Sequence, residues 1–189
     1  EKGDFMNAYD FDKTIFRGDS TARFYRFCLA RTPRMLKRLP RLAFEAAFVL
    51  PRDKTRFKQS MFGFLRDLDD PEGMVAAFWE KTRGRIKPFY LRQRKPDDMI
   101  LSAAPDFLLR PILTELGVTR LIASPVDVHT GLYSGENCHG KEKVRRLRET
   151  YGDVTIDEFY SDSHVDDPLA EIAKAAFRVK GDRILPWDA

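Results

Sequence analysis

The 189-residue sequence predicts an α/β fold, a parallel sheet that carries an all-helical insertion directly after its first strand. Three observations lead to this prediction. Residues 6–10 form a short strand-like run, residues 21–94 place their apolar side chains at helical spacing, and short apolar runs alternate with helical segments after Pro96. Alternating strands and helices are typical of a parallel sheet with helices on both faces.

The first part of the chain combines one strand with several short helices. The strand ends in the carboxylate of Asp10, and a loop follows as far as Thr14. Helices follow it, divided by the prolines at positions 33, 40, 51, 71 and 88. We therefore predict a helical cap over residues 17–95 and a Rossmann-like core built from residues 1–16 and 96–189.

The later part of the chain supplies the rest of the predicted core. We expect a small hairpin at 126–138, because Thr-Gly and Ser-Gly turns interrupt that stretch. The remaining apolar patterns predict strands at 98–103, 120–124, 156–161 and 177–180, and helices at 107–116, 141–151 and 169–176.

Charge is divided unevenly between the two predicted parts. Residues 17–95 contain 20 Lys and Arg against 8 Asp and Glu, whereas the rest of the chain contains 13 against 21. The basic face of the cap could simply meet water, or it could attract an anionic membrane or a substrate with more than one phosphate. Nucleic acid is not an expected partner, because no nucleic-acid-binding motif accompanies the charge.

Other sequence features exclude several classes of protein. No apolar run approaches the ~18–20 residues that a membrane-spanning helix needs. Cys28 and Cys138 are far apart and are expected to be free thiols, and the three histidines are scattered, so no zinc site is predicted. The simplest expectation is a cytoplasmic protein, with peripheral contact at the inner membrane face as the alternative.

Polar side chains follow the predicted strands at the edge where ligands bind in open parallel sheets. Asp10 and Asp12 follow the first strand, Ser102 lies at the end of the second, and Asp162 follows the strand at 156–161. Carboxylates from two strand ends repel each other unless a cation lies between them, and Mg²⁺ prefers such oxygen ligands. The sequence therefore predicts a magnesium site.

These residues suggest phosphoryl transfer. Asp10 would attack phosphorus and Asp12 would protonate the leaving oxygen. Asp10, the carbonyl of Asp12 and Asp162 would hold Mg²⁺, and Ser102 and Lys141 would bind the phosphoryl oxygens. A further acidic residue, Asp166 or Asp167, would orient Lys141 or support the metal; the spacing favours Asp166.

Each of these residues also has a simpler interpretation. Asp12 and Thr14 could be turn residues, and Ser102 could cap a helix. Lys141 lies among other basic residues that could form a solvated helix face.

The same motifs resemble those of the haloacid dehalogenase superfamily. Asp10-Phe-Asp-Lys-Thr14 resembles its DxDxT motif, and Ile100-Leu-Ser102, Lys141 and the Ser161–Asp167 segment resemble the second, third and fourth motifs in the family's order. The position of the helical insertion resembles the group that contains phosphoserine phosphatase. Local patterns around the later motifs are similar to the bacterial subgroup that contains phosphatidylglycerophosphatase C.

The resemblance implies a Mg²⁺-dependent phosphatase that forms an aspartyl-phosphate and acts on a phosphorylated small metabolite. It implies that Thr14, Ser102, Ala103 and Lys141 bind phosphate and that Asp19 contacts the substrate. Asp19 departs from the glutamate of phosphoserine phosphatase, and Lys13 stands where glycine or serine is commoner. The alternatives are a membrane phospholipid monoester phosphatase and a phosphate-binding regulatory protein without turnover.

Overall fold

The computed structural model describes residues 6–52 and 54–188, and its centre is a six-stranded sheet. The strand order is β3-β2-β1-β4-β5-β6, with β1 to β5 parallel and β6 antiparallel to β5. The predicted α/β fold with a mostly parallel sheet is confirmed. The strands are Asn7–Tyr9 (β1), Met99–Pro105 (β2), Arg120–Ser124 (β3), Ile156–Ser161 (β4), Ala173–Lys180 (β5) and Arg183–Pro186 (β6).

The chain between β1 and β2 is helical in its described part. Proline stands in the first turn of α2, α4 and α5, where its missing N–H costs no hydrogen bond. The exact division into core and cap at residues 17 and 95 stays a prediction, and residues 1–5, 53 and 189 lie outside the described residues. The helices are Ser20–Leu29 (α1), Leu39–Phe48 (α2), Lys54–Phe62 (α3), Pro71–Thr82 (α4) and Pro88–Gln93 (α5), with 3₁₀ turns at Pro33–Arg38, Gly63–Asp67 and Arg83–Arg85.

Three later helices complete the fold: Asp106–Glu115 (α6), Lys141–Tyr151 (α7) and Asp167–Ala170 (α8). The predicted helix at 169–176 is wrong, because α8 ends at Ala170 and residues 173–178 pair with β4 instead. The predicted hairpin at 126–138 is reduced to one antiparallel bridge between Val126 and Tyr133.

The two faces of the sheet bury alternating residues, as the two-residue period of a strand requires. Tyr9, Ile100 and Tyr160 belong to the hydrophobic cluster on one face, with the Tyr9 and Tyr160 rings stacked at 4.9 Å. Ala8 and Leu101 belong to the cluster on the other face. The central strands are therefore covered on both sides, which holds the ends of β1, β2 and β4 in fixed positions.

Part of the helical segment packs directly on the sheet layer. Phe24 from α1 and Phe78 and Trp79 from α4 join the same cluster as Tyr9, and the Trp79 indole donates a 2.6 Å hydrogen bond to the Leu108 carbonyl. In contrast, α2 contains no buried residue. No helix in the described residues is long and apolar enough to cross a membrane.

We expect Leu101→Ala to lower the free energy of unfolding by about 2–5 kcal/mol, because it leaves a cavity beneath a central strand. Leu101 is fully buried, whereas Leu132 is 44% exposed. The matched change Leu132→Ala should cost no more than about 0.5 kcal/mol. Urea unfolding measures the free energy of unfolding of both variants. Equal losses of this free energy in the two variants would contradict the assignment of Leu101 to the core.

Candidate active site

The candidate site lies at the carboxyl end of β1, which is flanked by β2 and β4. Asp10 follows β1, and its backbone N–H donates a 2.9 Å hydrogen bond to the carbonyl of Tyr160 in β4. The chain leaves β1 toward β2 and reaches β4 on the opposite side only later. Such a switch point at the ends of parallel strands is where open α/β sheets bind ligands.

A cavity of about 390 Å³ opens at this point. Its walls come from the loop after β1, from β2, from the segment before and within α7, from the loop after β4, and from α1 and α3. The site residues predicted from the sequence that line it are Asp10, Asp12, Asp19, Ser102, Ala103, Asp162 and Asp166.

Asp10 is buried at the base of the cavity, with 8% of its surface exposed. One carboxylate oxygen accepts from the Lys143 ammonium at 2.7 Å, and the other accepts from the Thr14 hydroxyl at 3.2 Å. Burial raises the pKa of Asp10 to about 6; Lys143 opposes the rise, whereas Asp166 and Asp162 add to it.

Thr14 joins the two loops that carry the acidic residues. Its fully buried hydroxyl donates to Asp10 and accepts a 3.0 Å hydrogen bond from the backbone N–H of Asp162. A single side chain therefore fixes the loop after β1 against the loop after β4.

Asp12 is half-buried at the edge of the same cavity. Its Oδ1 accepts a 2.7 Å hydrogen bond from the backbone N–H of Ser20, the first residue of α1. Burial, together with the nearby Asp19 carboxylate, raises the pKa of Asp12 to about 8 against the opposing Ser20 hydrogen bond. This side chain is therefore suited to carry a proton near neutral pH.

The structure corrects the position of the site lysine. Lys141, which was predicted from the sequence to lie in the site, is exposed on α7 and does not line the cavity. Lys143, two residues later, is buried and donates to Asp10 at 2.7 Å and to Asp166 at 2.8 Å. Gly140 stands just before α7 with φ of +58°. Lys141 and Lys143 are two positions apart on α7, so their side chains point to different sides of the helix.

The ammonium of Lys143 is held in its charged form. Burial alone acts to lower its pKa, but Asp10 and Asp166 outweigh burial and raise the pKa above its ordinary value. Asp166 also accepts a 2.7 Å hydrogen bond from the Ser161 hydroxyl.

The choice between Asp166 and Asp167 that the sequence left open is clear in the geometry. Asp166 is buried and faces Lys143, whereas Asp167 accepts from the indole of Trp187 at 2.9 Å and contacts His164 at 3.0 Å. Of the two, only Asp166 lines the cavity.

The remaining predicted groups line the cavity with specific partners. The buried Ser102 hydroxyl oxygen accepts from the N–H of Ala104 at 3.1 Å, which leaves its own hydrogen available to a ligand. The carbonyl of Ala103 accepts from the Ser124 hydroxyl at 3.0 Å. Asp19 caps α1 by accepting from the N–H of Ala22, so its carboxylate has a structural partner as well as a place at the cavity edge.

Lys58 from α3 is a cavity residue that was not predicted from the sequence. Its ammonium lies 3.2 Å from Oδ1 of Asn137 and 3.5 Å from the carbonyl of Ala103, and burial lowers its pKa. The segment around it contains many basic residues, and helical spacing alone does not show which one turns inward.

The donor atoms present fit a hard divalent cation. Asp10 and Asp162 line one cavity, and each has a pKa that burial raises and that nearby carboxylates raise further. A bound cation would relieve this repulsion. Within residues 6–52 and 54–188, no three His, Cys, Asp or Glu side chains together form a metal-binding group, so a backbone carbonyl such as that of Asp12 would have to complete the set.

The sheet is mostly parallel, acidic loops follow its central strands, and a buried lysine lies between two carboxylates. These features define the class of protein as an α/β hydrolytic enzyme. The chain belongs to the haloacid dehalogenase-like hydrolase family, whose model matches residues 8–171. This finding confirms the family resemblance drawn from the motifs. Membership of the subgroup containing phosphatidylglycerophosphatase C stays a prediction.

Several known proteins are similar to this chain. Protein CicA of Caulobacter vibrioides is 29% identical over 191 residues, covering 88% of this chain and 82% of that protein. A crystal structure of a Bordetella pertussis protein of unknown function has a TM-score of 0.71 and 23% identity, over 91% of this chain and 88% of that one. The structure of a phospho-aspartyl intermediate analogue of phosphoserine phosphatase has a TM-score of 0.58 and 17% identity, over 93% of this chain and 86% of that one.

We expect Lys143→Met to destabilise the protein by about 3–5 kcal/mol, since it leaves two buried carboxylates without their cation. Lys141→Met, two residues away on the same helix, should change stability by no more than about 0.5 kcal/mol. Chemical denaturation at neutral pH compares the two. A greater loss in the Lys141 variant would contradict the assignment of Lys143 as the buried site lysine.

Proposed function

We propose that this protein is a Mg²⁺-dependent phosphomonoesterase that acts on a phosphorylated small molecule through an aspartyl-phosphate at Asp10. The observation that carries the proposal is the Asp10 carboxylate, held between the Lys143 ammonium and the Thr14 hydroxyl in a cavity that also contains Asp12. The similar phosphoserine phosphatase structure is that of a phospho-aspartyl intermediate analogue, and this likeness supports the same chemistry here.

In the first step, a carboxylate oxygen of Asp10 attacks phosphorus while the bond from phosphorus to the leaving oxygen breaks. Asp12 gives its proton to that leaving oxygen, so the alcohol departs neutral. The Ser20 N–H donates to Oδ1 of Asp12, which leaves Oδ2 as the atom to carry the proton.

In the second step, water attacks the phosphoryl group and the bond from phosphorus to Asp10 breaks. Asp12, now ionised, takes a proton from the attacking water and is ready for the next cycle. Free phosphate and the original Asp10 carboxylate are the products of this step.

Other residues bind and orient the phosphoryl group. The Ser102 hydroxyl can donate to a phosphoryl oxygen, and the Lys143 ammonium, already beside Asp10, adds positive charge. Asp166 positions Lys143 through its 2.8 Å contact. Thr14 keeps Asp10 oriented, and the backbone at Ala103 borders the same space.

Asp10, Asp162 and the carbonyl of Asp12 are the groups that would hold Mg²⁺, with Asp166 in support. When bound, the ion offsets the repulsion between the carboxylates and an anionic ester.

The helical segment would close the cavity and select the leaving group. Lys58 supplies a half-buried cation, and Phe57, Met61 and Leu50 supply apolar surface in the same cavity. Asp19 adds a carboxylate at the edge. A leaving group with a polar and an apolar part would suit this wall, which is the role proposed for residues 17–95 as a cap.

We expect Asp10→Asn to reduce the turnover of p-nitrophenyl phosphate with Mg²⁺ by at least about 1000-fold, because an amide is a poor nucleophile. The amide has the same shape, so circular dichroism should be unchanged. Asp167→Asn, which alters a carboxylate outside the cavity, is the matched control and should retain activity. Retained turnover in the Asp10 variant contradicts the mechanism, and no turnover in the wild type favours the alternative, a phosphate-binding regulatory protein.

A second candidate substrate, a membrane phospholipid monoester, is favoured by the surface of α2. Phe44 and Phe48 are 61% and 55% exposed, and their rings contact each other at 4.7 Å on the outside of the helix. Leu36 and Leu39 are exposed nearby, and Leu50 both is exposed and lines the catalytic cavity. Exposed apolar residues therefore lie on the outside of α2, and one that follows it, Leu50, lies at the cavity.

The charge around this face suits an anionic membrane. Residues 31–52 contain six Lys and Arg and a single acidic residue, Glu45. An amphipathic helix with exposed aromatic residues and basic neighbours is typical of helices that lie in the interface of anionic membranes.

We expect the wild type to bind vesicles that contain phosphatidylglycerol, and the double change Phe44→Glu and Phe48→Glu to weaken binding by about tenfold or more. Each Phe contributes roughly 1.5–3 kcal/mol when it leaves water. Leu91→Glu with Ile184→Glu, two exposed residues on α5 and β6, is the matched control. Vesicle sedimentation measures all three, and a wild type that stays in the supernatant contradicts the membrane assignment.

A further inference from the structure

A second cavity, of about 560 Å³, is lined in part by the loop that follows β1. It shares Lys13 and Asp162 with the catalytic cavity. We call it the basic cavity, because its charged lining contains two carboxylates, Asp162 and Asp182, and six cationic residues. The six are Lys13, Arg17, Arg23, Arg85, Lys87 and Lys180.

Lys87 is the most buried of these cations, with 3% of its surface exposed. Its ammonium donates to the carbonyls of Lys13 and Gly181, each at 2.5 Å. An ammonium has three hydrogens, so one remains to be donated. Burial lowers the pKa of Lys87, and the nearby Asp182 and Asp162 carboxylates oppose this effect.

Arg23 provides a second cation with unused hydrogen-bonding capacity. Its Nε is buried and has no hydrogen-bond partner within the described part of the chain. A Cβ atom added at Gly18, which has φ of +107°, would come within 2.7 Å of this nitrogen. Glycine at this position therefore allows the guanidinium to lie close to the loop backbone. In contrast, Arg17 is exposed and already paired with Asp182 at 3.0 Å.

We propose that the basic cavity binds a phosphate-type oxyanion. A tetrahedral oxyanion would accept from Nε of Arg23 and the remaining hydrogen of Lys87, with Arg85 and Lys13 adding positive charge. Two sources share this chemistry: a free oxyanion such as inorganic phosphate, and the second phosphate of a substrate whose first phosphate occupies the catalytic cavity. The binding site does not depend on the proposed activity.

Inorganic sulfate, a tetrahedral oxyanion that a phosphatase does not hydrolyse, is the probe for the first experiment. Calorimetric titration compares the wild type, Arg23→Gln and the matched control Arg26→Gln; Arg26 is exposed on the same helix and outside the basic cavity. With Mg²⁺ present to offset the carboxylates of the catalytic cavity, we expect the wild type and the control to bind two sulfates, one in each cavity. The Arg23 variant should retain only the site in the catalytic cavity, with affinity for the other reduced at least about tenfold.

Arg85→Gln is a second variant, which keeps the test decisive if the Arg23 variant does not fold. It should lower the affinity for the same sulfate. Equal numbers of bound sulfates and equal affinities in the cavity variants and the Arg26 control overturn the proposal.

Kinetics distinguishes the two sources of the oxyanion. An alkyl monophosphate is compared with an alkyl bisphosphate of the same chain length. If the oxyanion belongs to the substrate, Arg23→Gln raises KM for the bisphosphate about tenfold and leaves KM for the monophosphate unchanged. If the oxyanion is free, Arg23→Gln leaves both KM values unchanged and alters only the effect of added sulfate on the reaction rate. Absence of any phosphatase activity refutes the proposed function, whereas the sulfate titration still decides on the basic cavity.

Discussion

The pairing of Lys143 with Asp10 and Asp166 is the constraint on which the site depends. All three groups are buried, and buried charges are tolerated only when they are paired and hydrogen-bonded. One ammonium does not neutralise two carboxylates, and Asp162 adds a third negative charge nearby. The excess negative charge in this cavity explains why a divalent cation fits the site, and it adds to burial, the main cause, in raising the pKa of Asp10.

The sheet supplies the rigidity that this pairing needs. Hydrophobic clusters cover both faces of the central strands, so the ends of β1 and β4 are held in register. The hydroxyl of Thr14 then connects the loops that follow them. The helical segment is anchored on the same core through α1 and α4, whereas α2 stays at the surface. This arrangement combines a site that the sheet holds in place with a helix, α2, that buries none of its residues.

The sequence predicted the parallel sheet and most of its elements because strand and helix periodicities are strong there. It failed for Ala173 to Ala176, where an alanine-rich pattern favours a helix locally but pairing with β4 overrides that preference. The motif order located the lysine only approximately: Lys141 and Lys143 have the same chemistry, and the rotation of α7 decides which one faces Asp10. Lys58 and the basic cavity depend on contacts between distant segments, which periodicity does not report.

The hydrogen bond from the Ser20 N–H to Asp12 links the proposed proton donor to the first turn of α1. This bond favours the ionised carboxylate, and the neighbouring Asp19, which caps the same turn, disfavours it. A small displacement of this turn would therefore change how strongly Asp12 holds its proton. The position of a helix outside the sheet therefore bears on the acidity of a carboxyl group that lines the cavity.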